Sequence, residues 1–261
     1  MKVGILGAGA TGLSAAWDIS RAGHQVTVYE RDNFVGGHAS TFEIEGTAIE
    51  RGYHHWFTND RDIIELCKEI GIEKQIMWNT SKVGTFFSGK SYNFGTPIDL
   101  IRYTPLSIQN RIRLGVSALN IQKIQDWTEI EHLTADQWLQ SNVGKEVYES
   151  FWEPMLRGKF GDEHHRKIGM AWLWGKMNTR FTSKKNLFSR EILGYPKGSF
   201  KTFFSALTEK LTNNGTNIFL SKSITSIKKC QDGKIGLKVG ESGHLDKFDA
   251  ENSDRLIIVA K

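Results

Sequence analysis

The sequence predicts an α/β protein: a domain built on a parallel sheet, interrupted by a mainly helical insert. Three observations carry that expectation. An apolar strand, a glycine-rich turn, a helix and a second strand follow one another within the first 30 residues. After Pro97 the pattern turns helical and Trp-rich, with five of the eight tryptophans between residues 127 and 174. From about residue 192 strands and a helix alternate again. The 261 residues are 39% hydrophobic and 24% charged, with only 4 Pro, which is a globular composition with ample core to bury.

Residues 2–6 (KVGIL) form a short apolar run that ends in glycines, the pattern of a buried parallel strand. Residues 11–22 carry apolar side chains at helical spacing, and Gly23 can end that helix. Residues 25–30 (QVTVYE), rich in Val, Thr and Tyr, read as the second strand. Such a βαβ crossover is right-handed, so the strands should be parallel neighbours. Residues 60–70 predict a helix capped by Asp60, with Ile63, Ile64, Leu66, Cys67 and Ile70 on its buried face. Residues 83–94 predict a hairpin around Ser88-Gly89-Lys90.

In the insert, residues 107–126 predict a helix with Ile108, Ile112, Val116, Leu119 and Ile124 near one face. Residues 134–141 follow a Thr134 cap, and residues 144–157 form either another helix or a helix broken near Pro154. Residues 199–213 predict a helix capped by Ser199 with Phe203, Leu207 and Leu211 inward, followed by strands at 217–220, 223–229, 234–239 and 255–260. The α/β domain is thus expected over 1–78 and 192–261, and the insert over 79–191.

The net charge of +5 permits an acidic ligand or a weak peripheral contact with anionic lipid, and gives no case for nucleic acid. No apolar run approaches the roughly 20 residues of a membrane span. Cys67 and Cys230 lie too far apart for a metal spacing or a disulfide framework, so a reducing, cytoplasmic compartment is expected. Lys2 followed by apolar residues imitates a signal peptide, but the regular glycines and Trp17-Asp18 read as mature structure. Nothing in the sequence speaks to oligomeric state.

The chemistry points to Gly7-Ala8-Gly9-Ala10-Thr11-Gly12, a GxGxxG between a strand and a helix, with Glu30 ending the next strand. This is a Rossmann-like dinucleotide fingerprint. Gly7 permits the tight turn, Gly9 lets backbone approach a pyrophosphate, and Gly12 allows close helix-on-strand packing. The helix N-terminus offers amides to the phosphates, and Glu30 can accept from ribose hydroxyls. NAD and FAD share that pattern.

The residues that follow separate the two. Glu30-Arg31 precedes Gly36-Gly37-His38, which resembles the E-x5-GG-R/H extension of the flavin oxidoreductases related to amine oxidases, phytoene desaturases and protoporphyrinogen oxidases. His38 stands where Arg is commoner, which leaves the charge there dependent on pH. Glu50-Arg51-Gly52-Tyr53-His54 looks like the family's D/E-x-G-x-H segment near the flavin, which follows a small hairpin. Residues 151–161 look like a W-E-P-L-L block, and Pro196-Lys197-Gly198-Ser199 replaces a Pro-x-Gly-Gly. Ile224 falls where the backbone contacts adenine in relatives, and Ala260 ends a D-x-V-I-x-A strand.

The resemblance implies a Rossmann-like FAD-binding domain with a helical substrate insert. It implies FAD as cofactor and FAD-dependent oxidation of a C–N or C–C bond in a hydrophobic small molecule, with no side chain assigned as catalytic. Relatives continue past that strand with a Gly-Asp segment and a final helix, so the chain is expected to be an N-terminal portion. A FAD-dependent sugar-nucleotide mutase and a non-catalytic dinucleotide-binding fragment stand as alternatives.

Other residues read more plainly. His54-His55 and His164-His165 are adjacent pairs whose side chains diverge, so no metal site is expected. Glu153 is best read as a partner for a cation such as Arg157 four residues on. Trp172 and Trp174 read as core, with a substrate-tunnel wall as the alternative. The basic residues Arg157, Lys159, Arg166, Lys167, Lys176, Arg180, Lys184 and Lys185 read as a solvated face, with anionic lipid as the alternative.

Overall fold

The structure, a computed structural model, describes residues 1–241, 251–253 and 255–258. The chain divides into two compact units. One holds Met1–Trp56, Arg61–Met77 and the chain from Gly194 onward; the other holds Phe57–Asp60 and Trp78–Leu193.

The first unit is organised by a four-stranded parallel sheet. Strand Lys2–Leu6 lies inside it, between Gln25–Tyr29 and Arg255–Ile258, and Asn217–Phe219 pairs with the far side of Gln25–Tyr29. Val3, Ile5, Val26 and Val28 are buried, as parallel strands covered on both faces require. Helix Ala10–Arg21 buries Leu13, Ala16 and Trp17, and helix Phe200–Asn213 buries Phe203, Phe204, Leu207 and Leu211, all in one core. Ser199 caps the second helix, its hydroxyl accepting from the Lys201 amide at 3.2 Å.

Helix Arg61–Glu69 joins this unit with Cys67 fully buried, and burial pushes that thiol up to about 12. Glu69 ties it down: it accepts from the Trp17 indole at 2.7 Å and pairs with Arg21 at 2.6 Å. Those two contacts hold its carboxyl below the usual Glu range. A hairpin, Thr41–Ile44 with Thr47–Glu50, turns through Glu45 and Gly46, both at positive φ. Strand Lys222–Lys229 pairs antiparallel with Ile235–Glu241, with a bulge between Ile224 and Ser226.

The second unit is mostly helical around its own core. Its hairpin, Gly84–Phe87 with Lys90–Asn93, turns at Ser88-Gly89 as the sequence indicates. Capping boxes start two helices: Thr96 with Asp99 before Pro97–Ile101, and Thr134 with Gln137 before Ala135–Val143. Trp172 and Trp174 pack against the core, and the Trp174 indole donates to the Ile124 carbonyl at 2.9 Å.

Of the two readings of residues 144–157, the unbroken helix holds at Pro154. Tyr148–Trp152 forms one π-helical turn that runs straight into helix Glu153–His164, with Trp152 and Glu153 both helical, so Pro154 sits inside a continuous helix just past a π-bulge. The departure comes later, at Gly161 with φ 76°.

The helix Ile108–Lys123 turns its expected apolar stripe outward. Ile108, Ile112, Val116 and Leu119 are 72%, 61%, 49% and 42% exposed, while Asn110, Leu114, Ser117 and Ile121 face the core. The inward row contains a small residue at Ser117, whose hydroxyl is satisfied by the Leu114 carbonyl at 2.8 Å, so it admits close helix packing. Ile124 ends the helix and leaves the stripe to pack at the core's edge. Among the described residues no helix is long and apolar enough to cross a membrane.

Candidate functional site

The first strand runs into Gly7 at φ 105°, a left-handed value that suits glycine. The Gly7 amide donates to the Tyr29 carbonyl at 2.8 Å, which ties the turn to the second strand. Gly9 is the N-cap of helix Ala10–Arg21. No side chain caps this helix and its first turn holds no acid, so the positive end of its dipole is left for a ligand. Ala10 and Thr11 are exposed there, while Ala8 and Gly12 are buried. A Cβ on Gly12 would stand 1.9 Å from the Gly7 carbonyl oxygen, so the helix can sit this close only with glycine.

The second glycine pair is held against the first. The Gly36 amide donates to the Ala8 carbonyl at 2.8 Å, and Gly9 and Gly36 form a parallel bridge. Gly36 and Gly37 have φ of 107° and 55°. A Cβ on Gly36 would meet the Phe204 ring and Ser40 at 3.0 Å, and one on Gly37 would lie 3.2 Å from the Gly9 Cα. A Cβ on Gly9 meets nothing nearer than the Gly37 Cα at 3.8 Å, so protein alone does not demand glycine there.

Glu30 is 9% exposed at the end of the second strand. Its Oε2 accepts from the Ala8 amide at 2.7 Å and its Oε1 from the Asp32 amide at 3.0 Å. Each oxygen keeps a second acceptor direction for a ribose hydroxyl. Its carbonyl accepts from the Lys222 amide at 2.8 Å, which places Ile224 two residues beyond that contact, on the strand paired with Val239. Arg31 is exposed beside it. Ala260 lies outside the described residues.

The third segment also converges. A Cβ on Gly52 would lie 3.9 Å from the His38 carbonyl and 3.8 Å from the His54 ring. His54 Nδ1 is 2.6 Å from the Gly52 carbonyl, while the His38 side chain is exposed. Glu50 anchors this stretch: it accepts from the Tyr195 hydroxyl at 2.6 and 2.8 Å and from the Phe200 amide at 2.9 Å. Burial and the Glu50 contact push the Tyr195 phenol up to about 12. Sequence reasoning missed Tyr195, because a partner 145 residues away leaves no spacing signal.

Elsewhere the pairing differs from expectation. Glu153 accepts from Arg166 at 2.9 Å and faces His165 at 3.4 Å, whereas Arg157 pairs with Asp162 at 2.5 Å. The left-handed Gly161 ends the regular helix, so residues 162–166 fold back and Arg166 reaches Glu153 in place of Arg157. The Arg166 hydrogen bond holds the Glu153 carboxyl below the usual range. Among the described residues no three His, Cys, Asp or Glu side chains group as metal ligands.

An uncapped helix start, two apposed glycine turns and a buried carboxylate with spare acceptor directions suit a dinucleotide: phosphates at the amides, ribose at the acid. The parallel sheet and this cradle define a dinucleotide-binding fold. The family described as flavin containing amine oxidoreductase matches residues 10–258, and the chain belongs to that FAD-dependent family. It is 25% identical over 254 residues to coproporphyrinogen III oxidase of Staphylococcus aureus, covering 87% of this chain and 54% of that protein. It is 29% identical over 154 residues to 15-cis-phytoene desaturase of Synechococcus elongatus, covering 54% of this chain and 32% of the other. The fold superposes on an oxidoreductase from Methanosarcina mazei with TM-score 0.70 at 18% identity, over 99% of this chain and 58% of that one. Putrescine oxidase bound to putrescine gives the same TM-score at 16% identity, over 99% and 58%. In these matches the chain spans about half the length of the coproporphyrinogen III oxidase and about a third of that of the desaturase.

Proposed function

We propose that this chain is the FAD-holding part of an oxidoreductase that removes hydrogen from a C–C or C–N bond of a hydrophobic small molecule. The observation that carries the reading is the apposition of Gly9 and Gly36 at the uncapped start of helix Ala10–Arg21. Amides of that first turn bind the pyrophosphate, Gly9 leaves it room, and Glu30 orients the adenosine ribose. Ile224 borders the adenine through its backbone, and Gly52 and His54 extend the cradle from the second glycine turn. FAD, when bound, supplies the electron sink for substrate oxidation. The chain's own residues bind and orient; none is assigned a proton transfer.

The helical unit is, in this reading, the substrate-binding domain. Similarity to 15-cis-phytoene desaturase over 54% of this chain supports oxidation of an apolar molecule. The test is a visible absorption spectrum of the purified chain after incubation with FAD and desalting. A retained flavin band supports the proposal. No retained flavin together with saturable NAD binding would overturn it in favour of a nicotinamide-binding domain.

A further inference from the structure

The first unit holds a cleft of about 500 Å³ that the dinucleotide reading does not use. Neither the glycines of the two turns nor Glu30 borders it. Its walls come from one side of helix Phe200–Asn213, from the segment leading into strand Thr41–Ile44, and from the outer strand Asn217–Phe219. Three phenyl rings, Phe34, Phe42 and Phe204, line it together with Ile218 and Leu220. The volume lies within the roughly 300–1,000 Å³ of small-molecule sites, which are mainly apolar with a few polar groups.

The rings are held in place. The Arg51 guanidinium lies over the Phe34 ring at 4.7 Å and over the Phe42 ring at 5.9 Å. Phe204 is 3% exposed and abuts the second glycine turn, since a Cβ on Gly36 would meet its ring at 3.0 Å. The Gly36 amide in turn donates to the Ala8 carbonyl at 2.8 Å. One ring thus serves both the cleft and the turn.

The polar groups of the lining leave little for an ion. Lys201 pairs with Glu43 at 2.5 Å. The Thr208 hydroxyl donates to the Phe204 and Ser205 carbonyls and the Thr212 hydroxyl to the Thr208 carbonyl, so both offer only lone pairs. Ser40 is 2% exposed and its hydroxyl has no partner, which leaves one O–H for a ligand that can accept.

We propose that this cleft binds an uncharged, flat aromatic molecule, and that its occupation stiffens the second glycine turn through Phe204. Ring pairs gain beyond the area they bury, so three phenyl walls prefer an aromatic ligand to a saturated one of the same size. An ion would lose its water against these walls and find its partners already paired. A ligand packed on Phe204 restricts the ring that supports Gly36, so the turn opens less often. Binding and stiffening stand apart from the flavin reading. Only their consequence rests on it: a ligand that steadies this turn and FAD would each tighten the other by the same factor.

The test uses 2-naphthol on the purified chain without FAD, so its outcome does not depend on the flavin reading. Binding is followed by naphthol fluorescence and the turn by amide hydrogen exchange. Saturable binding with Kd below about 1 mM is expected, about threefold or more tighter than decahydro-2-naphthol in competition. Exchange of the Gly36 amide should slow at least threefold with 2-naphthol bound. Ser205→Trp, at an exposed position of the lining, should fill the cleft and weaken 2-naphthol at least tenfold. Circular dichroism confirms that the variant folds; Phe42→Ala, which removes a half-exposed wall, serves should Ser205→Trp not fold. No saturable binding, undiminished binding in the folded variant, or equal affinity for the saturated alcohol would overturn the site. Unchanged exchange at Gly36 with 2-naphthol bound would overturn its link to the turn.

Discussion

Gly9 and Gly12 sit three residues apart in one motif, yet the structure gives them separable tasks. A Cβ at Gly12 would approach the Gly7 carbonyl oxygen to 1.9 Å, and a backbone atom cannot rotate aside. Overpacking of a well-packed site costs about 1–3 kcal/mol, and this overlap belongs at the upper end. Gly12→Ala should therefore destabilise by about 3 kcal/mol, a fall in Tm of roughly 6–12 °C for a chain of this size. At Gly9 the backbone has φ −75° and ψ −178°, open to any residue, and the nearest contact is an ordinary 3.8 Å. Alanine caps a helix less well than glycine, by under ~1 kcal/mol. The reduced freedom of the unfolded chain offsets this by about 0.4–1 kcal/mol. Gly9→Ala should leave stability within about 1 kcal/mol while weakening FAD at least tenfold, about 1.4 kcal/mol. Thermal unfolding and titration of flavin fluorescence read the two quantities on the same samples. Unchanged FAD affinity in a folded Gly9→Ala chain would refute the assignment of that space to the pyrophosphate. A loss of stability equal to that of Gly12→Ala would show that Gly9 is structural.

Glu30→Gln should cost about 1–3 kcal/mol in urea unfolding, because its amide nitrogen must face one of two backbone N–H donors; unchanged stability would mean those contacts are not made. Tyr195→Phe should lose about 1–2 kcal/mol, since Glu50 then keeps only the Phe200 amide. In the wild type that phenol titrates near 12, above its unfolded value. Its contribution is therefore complete below about pH 10 and fades as pH rises toward 12, which alkaline unfolding series of both proteins would reveal. Glu69 shows the opposite sign. Its folded pKa is lowered by Trp17 and Arg21, so its contribution is complete at neutral pH and is lost as pH falls below the ordinary Glu value of about 4.3. Glu69→Gln should flatten that acid limb of a stability–pH curve, and an unaltered limb would assign it to other carboxylates.

What was legible in the sequence was local. Gly7, Gly9 and Gly12 are tied by turn and helix geometry within six residues, so their spacing alone describes the strand, turn and helix that the structure contains. The alternation at 25–30 likewise gives a strand whose parallel partner is fixed by crossover handedness. Long-range pairings left no such mark. Glu50 meets Tyr195 and the start of helix Phe200–Asn213 across the whole helical unit's sequence, and Glu153 finds Arg166 only because Gly161 turns the chain back. The helix Ile108–Lys123 misleads for another reason. It carries apolar residues on both sides, and periodicity finds a stripe without saying which stripe meets the core. In the folded chain Asn110, Leu114, Ser117 and Ile121 meet the core, a choice that hydrophobicity alone does not reveal.

Glu30 shows why a motif reading of one residue can be incomplete. The fingerprint assigns its carboxylate to ribose, as if it waited free for a ligand. In the folded chain both oxygens are already held, one by the Ala8 amide inside the glycine turn and one by the Asp32 amide just beyond the strand. The acid thus closes the turn proposed to face the pyrophosphate and fixes the direction of its own remaining lone pairs. Orientation that a free side chain would lose on binding is already lost on folding, so the adenosine half of the site is preorganised within this chain. It follows that Glu30→Ala should damage more than a ribose contact. The turn at Ala8 loses its acceptor, and the pyrophosphate amides behind it loosen as well. A variant that weakened adenosine and FAD by the same factor would confine the effect to ribose; a larger factor for FAD would show that the carboxylate acts through the turn.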